Sequence, residues 1–151
     1  MNDVSKDEFY RELKHIRKKV KNDRAIMRAM HYFNETERAK KEALALENGD
    51  FNEFLRLVNE SGRSSYMYLQ NVYASFDTKN QAVSLALALC DELLSGKGAF
   101  RVHGGGFAGT VQAFVPCDML GSFKSGIENV FGKDKCHILS IRNVGGVEIK
   151  L

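Results

Sequence analysis

The chain has 151 residues, 44% hydrophobic and 27% charged, with a formal net charge of +3, which is one domain's worth of chain and enough to bury a real core. No apolar run reaches the roughly 18 residues that a membrane span needs, and the polar opening segment does not read as a signal peptide. So mild a charge excess does not point to nucleic acid, whose binders carry a stronger and more clustered one.

Phe9, Leu13, Ile16 and Val20 recur at steps of four, three and four, which predicts a first helix. Its other face carries Arg11, Lys14, Arg17, Lys18, Lys19 and Lys21. Interspersed with Asp7, Glu8 and Glu12, that face reads as solvated; the alternative is a membrane surface or an acidic partner. Asn22 or Asp23 can cap a second helix whose apolar positions Ile26, Met30, Phe33, Ala43 and Leu46 face inward, ending at Asn48-Gly49. Asp50 then reads as the cap of a third helix, with Glu53 closing a capping box and Phe51, Phe54, Leu55 and Val58 as its buried stripe. Ser61-Gly62-Arg63-Ser64-Ser65 is small and polar within helical sequence, and either bends the helix, begins a loop or offers an anion-binding surface. Tyr66, Tyr68 and Tyr73, with Met67 and Leu69 between them, read as core and interface and not as a platform for stacked bases.

Thr78 is expected to cap the next helix, with Gln81 in the capping-box position. Ala82, Val83, Ala86, Leu87, Leu89, Cys90, Leu93 and Leu94 make that helix apolar over more than half its circumference, so it should lie buried against the sheet. Cys90 on that face is an inert core thiol in this reading. Cys90, Cys117 and Cys136 have no metal-ligand spacing between them, and reduced thiols of a cytoplasmic protein are the simplest account. His15 and His31 lie on helices without companions at ligand spacing, and His137 follows Cys136 directly, so no metal site is expected.

The stretch 99–116 follows. Phe100 and Val102 alternate with Arg101 and His103, and Val111, Ala113 and Val115 alternate with Thr110, Gln112 and Phe114, the period of half-buried strands. Between them lie Gly104, Gly105, Gly106 and Gly109. Spacing alone leaves two readings open: a tight connection between strands, or a loop whose bare backbone lets an anion approach its N–H groups. Pro116 ends the second strand, Asp118 caps a helix carrying Leu120, Phe123, Ile127 and Val130, and Gly132 closes it. Residues 138–142 then read as a strand, Gly145-Gly146 as a hairpin turn and residues 147–151 as a last short strand. Helices first, then strand–loop–strand–helix–strand, make an α+β domain with helices covering one face of an antiparallel sheet.

Residues Arg101-Val102-His103-Gly104-Gly105-Gly106-Phe107-Ala108-Gly109, followed by an apolar strand, resemble the third signature motif of the GHMP small-molecule kinases in its galactokinase form. Arg28-Ala29-Met30-His31 with Glu35 and Arg38 resembles the family's Arg-Ala-x-His…Glu…Arg helix. Asn48-Gly49-Asp50…Phe54…Asn59-Glu60-Ser61 resembles its helix–turn–helix ending in Asn-Glu-Ser. The motifs fall in the family's order from about Asp23 to Val147; Ala108 stands where the commoner pattern has glycine, and Gly62 where many members have histidine.

The resemblance implies the C-terminal domain of such a kinase over residues 1–151, helical over 1–95 and strand–loop–strand–helix–strand over 98–151, with a ferredoxin-like βαββαβ sandwich. The family's first strand, its sugar-recognition motif, nucleotide loop and catalytic aspartate lie in segments without counterparts here, so the chain is expected to be about the last third of a galactokinase, with no catalytic residue of its own. Three core strands and a short terminal one are then expected, leaving a sheet edge open to self-association. ATP and Mg would be held with the N-terminal kinase domain, and galactose and ATP are the implied substrates. Gly104, Gly105, Gly106, Phe107, Ala108 and Gly109 would form the wall beside the transferring phosphate. His103 would donate to a phosphate oxygen, act as a proton shuttle or serve as a hydrogen-bonded structural histidine, and Arg101 would either neutralise phosphate or face solvent. The alternative to a kinase half is a non-catalytic binding or regulatory module of the same fold.

Overall fold

The computed structural model describes residues 4–107 and 109–141. Helices α1 (Lys6–Arg11) and α2 (Leu13–Val20) are separated only at Glu12, so the predicted first helix is interrupted. Phe9 is buried with Ile26 and Ala29, Leu13 and Ile16 pack at the margin, and Val20 is exposed. Helix α3 (Asp23–Glu47) starts where Asn22 accepts a hydrogen bond from the Ala25 N–H and stops at Asn48, followed by Gly49 at a φ of +70°. Over 25 residues α3 changes partner: Ile26 and Ala29 face α1 and α2, while its far end buries Ala45 against helix α4 (Phe51–Ser64). The predicted inward positions Ala43 and Leu46 are therefore exposed.

Asp50 caps α4 by accepting from the Glu53 N–H, but the Glu53 carboxylate turns to Arg56 and does not complete a capping box. The buried stripe of α4 is Phe54, Leu57 and Val58; Phe51, expected within it, is exposed. The small polar run at Ser61–Ser65 does not open a loop. The helix runs on into a π-helical turn, Ser65–Leu69, with Ser61, Ser64 and Ser65 buried.

Strands β1 (Ala99–His103) and β2 (Thr110–Phe114) pair antiparallel, Ala99 opposite Phe114 and His103 opposite Thr110. Both faces of this ribbon are covered, which corrects the expectation of helices on one face. On one face Phe100, Val111, Ala113 and Val115 pack on helices α5 (Ala82–Leu94) and α6 (Leu120–Phe131), through Cys90, Leu94, Phe123 and Ile127. On the other, Ala99 and Phe114 meet Phe54, Leu57 and Val58 of α4. That approach depends on small side chains. A Cβ at Gly62 would lie 2.8 Å from the Phe100 carbonyl oxygen, so only glycine lets α4 sit this close to β1.

Helix α5 packs on the sheet through one side, with Ala82 and Leu85 exposed. Thr78 does not cap it. Gln81 precedes the helix and spends its amide on the preceding loop, donating to the Ala74 and Asp77 carbonyls and accepting from the Ala74 N–H. Asp118 likewise sits in a 3₁₀ turn, Cys117–Met119, and makes no side-chain cap for α6. Residues 138–141 form no strand, and Leu139 and Ile141 are largely exposed. Strand propensity alone does not order a segment whose N–H and C=O groups find no ladder to join among the described residues. The sheet therefore has two strands among the described residues. Arg142, the Gly145-Gly146 turn and the strand expected at 147–151 lie outside the described residues, as does Ala108.

Candidate functional site

Two features converge on β1: a polar seam that fixes the strand, and the glycine loop that the strand feeds. On α3, residues 31, 35, 38, 42 and 45 recur at helical spacing and form the stripe facing α4. Four of the five are polar: His31, Glu35, Arg38 and Glu42. Glu35 is the hub. It accepts from the Ser61 hydroxyl of α4, pairs with Arg38 one turn away, and receives Arg101 of β1 at 3.3 Å. Arg38 also lies 3.8 Å from Glu60, and His31 Nδ1 shares a 2.9 Å hydrogen bond with the Ser64 hydroxyl.

Asn59 completes the docking of α4 on β1. Its amide donates to the Gly98 carbonyl and accepts from the Phe100 N–H, both at 3.0 Å, so part of the strand's backbone is already occupied by a side chain. Burial holds His31 below the ordinary histidine range; Glu35 opposes that effect while Arg38 and Arg101 reinforce it. Burial and the neighbouring Glu35 push Glu42 above the ordinary carboxylate range, against Arg101 and Arg38. The Glu42 Oε1 atom has no hydrogen-bond partner among the described residues.

Beyond His103 the chain turns through Gly104 at a φ of +72°, Gly106 at +79° and Phe107 at +61°. The loop rests on Asn71. The Phe107 N–H donates to the Asn71 carbonyl at 2.5 Å, and Asn71 Nδ2 donates to the Gly105 carbonyl at 3.3 Å. A Cβ at Gly106 would lie inside contact distance of the Asn71 carbonyl oxygen and 2.8 Å from its Cβ and Cγ. At Gly104 and Gly105 a Cβ would meet nothing within 4 Å, so this backbone is bare and outward. The Arg24 guanidinium lies 5.9 Å from the centre of the Phe107 ring and reaches the Gln70 carbonyl at 3.4 Å.

Arg101 does not face solvent; it is half-buried in the seam with Glu35. His103 is exposed at the strand end, with no side-chain hydrogen bond among the described residues. Two hollows lie elsewhere, one of about 340 Å³ between residues 4–6 and Tyr32, Phe33 and Thr36, the other of about 170 Å³ around Asn34, Arg38 and Glu60. The glycine loop borders neither and is an open surface. Among the described residues no three His, Cys, Asp or Glu side chains are placed to hold a metal ion, and no helix is long and apolar enough to cross a membrane. Cys90 is buried and its thiol is pushed up to about 12 by that burial, while Cys117 is exposed.

Apolar periodicity could not reveal the seam, because its stripe is charged; the signal was the polar 3.6 period of Glu35, Arg38 and Glu42. Asn71 carried no sequence signal at all. Its role depends on contacts 34 residues away in the chain.

No family model matches the chain. It is 31% identical over 118 residues to the galactokinase of Limosilactobacillus reuteri strain DSM 20016, and equally to that of Limosilactobacillus reuteri subsp. reuteri strain JCM 1112. The match takes in 77% of this chain and 27% of each galactokinase, so the chain spans about a quarter of the length of these curated relatives.

Proposed function

We propose that this chain is the C-terminal, substrate-cleft part of an ATP-dependent galactokinase, which transfers the terminal phosphoryl group of ATP to the 1-hydroxyl of galactose. The observation that carries the reading is the bare, outward backbone at Gly104 and Gly105, on a loop whose supporting strand is clamped by Glu35, Asn59 and Ser61. Those three residues, with His31 and Arg38, belong to the sequence segments that resemble the kinase family; Glu35 and Asn59 reach β1 directly, and Ser61 and Arg38 join it through Glu35. The likeness to the galactokinases supplies the reaction.

In this reading residues 1–151 are a single domain of the GHMP kinase C-terminal type. Phosphoryl transfer asks for charge neutralisation and in-line positioning more than for covalent chemistry. Gly104, Gly105, Gly106, Phe107, Ala108 and Gly109 here form the wall beside the transferring phosphate, with Gly104 and Gly105 supplying its side-chain-free part, while the Phe107 N–H is spent on the Asn71 carbonyl. In this reading His103, exposed where the strand enters the loop, donates to the same phosphate or acts as a proton shuttle. Arg101, paired to Glu35, contributes by holding β1. Mg and the bulk of ATP are, in the same reading, held with the N-terminal kinase domain, and the isolated chain does not turn over. The three free cysteines are then the reduced thiols of a cytoplasmic protein.

The test replaces the matching quarter of the Limosilactobacillus reuteri galactokinase with this chain and follows galactose-dependent release of ADP. Turnover by the chimera supports the reading, and Gly105→Val in it should lower turnover about tenfold or more with the melting temperature held. A folded chimera without turnover, beside an isolated chain that itself binds galactose or ATP, would replace the kinase reading with that of a binding module.

A further inference from the structure

We propose that Asn71 is the positioning residue of the glycine loop, the group that sets which amides of residues 104–107 face outward. The exchange measurement below is independent of the galactokinase reading, and the kinetic one rests on it.

The chain delivers Asn71 by an unusual route. Helix α4 widens into the π-helical turn Ser65–Leu69, whose insertion of extra chain per turn is frequent at functional positions. Gln70 then takes a left-handed conformation at a φ of +51°, reversing the chain beneath the tip of β1. Val72, the residue after Asn71, is buried against Val83 and Val102, and the Ser84 hydroxyl donates to the Val72 carbonyl at 2.9 Å. Asn71 is thereby held between α4 and α5, only 5% exposed.

From there one residue touches the loop three ways. Its carbonyl accepts from the Phe107 N–H, its Nδ2 donates to the Gly105 carbonyl, and its Cβ and Cγ fill the space a side chain at Gly106 would need. Packing alone does not explain an amide here. Asn71 Oδ1 is buried with no hydrogen-bond partner among the described residues, a penalty that an apolar side chain of the same size avoids. What the amide adds is the N–H donor to Gly105. With the Gly105 carbonyl drawn inward, the opposite side of that segment is left bare. Arg24, stacked near Phe107 and bonded to the Gln70 carbonyl, is the charged side chain that the structure sets against this loop.

The proposal is tested with Asn71→Asp, which keeps the shape and replaces the donor with an acceptor, and Asn71→Ala, which keeps only the backbone acceptor. Amide hydrogen exchange of the isolated chain should show protection at Phe107 falling about tenfold in both variants at pH 7, with β1 and α5 protected as before. Lowering the pH until the introduced carboxyl protonates should restore protection in Asn71→Asp and not in Asn71→Ala, because the protonated acid again donates. A role in packing alone would show no such recovery. In the galactokinase chimera Asn71→Asp should lower kcat about tenfold with KM for galactose unchanged. Unchanged Phe107 protection in both variants, or loss of protection throughout the chain in both, would overturn the proposal. An exchange response beside a wild-type chimera that never turns over would count against the galactokinase reading and leave the positioning role standing.

Discussion

Gly105 and Gly106 are adjacent and identical, yet the structure assigns them opposite sensitivities, and paired alanine substitutions separate them. At Gly106 the backbone lies at a φ of +79°, where an L side chain costs about 1–2 kcal/mol. The new Cβ also presses on the Asn71 backbone, which cannot swing aside as a flexible side chain would. The loop's escape is to lift off Asn71, forfeiting the bonds from the Phe107 N–H and to the Gly105 carbonyl at about 1 kcal/mol each. Either route costs roughly 2–3 kcal/mol, because the detached loop sets the ceiling. At about 2–4 °C per kcal/mol for a chain of this size, Gly106→Ala should melt about 5–10 °C lower. At Gly105 a Cβ meets nothing within 4 Å, so Gly105→Ala should leave stability within about 0.5 kcal/mol or raise it slightly by restricting the unfolded chain. Differential scanning calorimetry of both variants is the assay. Equal losses, or an unaffected Gly106→Ala, would refute the claim that the loop is seated on Asn71.

Other expectations follow from the same contacts. Gly62→Ala would stabilise an exposed helix by about 1 kcal/mol, but its Cβ would press on the Phe100 carbonyl oxygen and Arg101, so urea denaturation should show a net loss of about 1–3 kcal/mol. His31 is held below the ordinary histidine value by burial, so below about pH 6.5 the unfolded chain takes up its proton more readily than the folded one. Stability from this site is therefore full above that pH and falls as pH drops through the lower, folded value; His31→Gln should flatten the urea midpoint between pH 8 and 5. Glu42 has the opposite sign: its raised value means stability lost as pH climbs through it, so Glu42→Gln should be neutral or stabilising at pH 7 by the same measurement. Native labelling with iodoacetamide, read by mass spectrometry, should modify Cys117 and spare Cys90, whose burial holds it as a thiol.

The sequence by itself determined several features settled within a few residues, though not the caps expected at Thr78 and Asp118. Asn22 and Asp50 start their helices, Gly49 ends one, and the alternation of Phe100, Val102, Val111 and Ala113 marks the face that α5 covers. Caps and periods act locally, so they survive in the letters. The order of the motif segments was equally legible, though not what they do to one another. Only the tertiary structure decided that Glu35 joins Ser61 and Arg101, 26 and 66 residues away, and that Arg101 is therefore held in a seam instead of facing water. It also decided that α4 covers the second face of the ribbon, that residues 138–141 stay out of the sheet, and that of two neighbouring glycines one is required by contact and the other is free. These outcomes turn on which surfaces come within a few ångströms across the fold. A hydrogen bond or a clash of that kind leaves no period or cap in the chain that makes it.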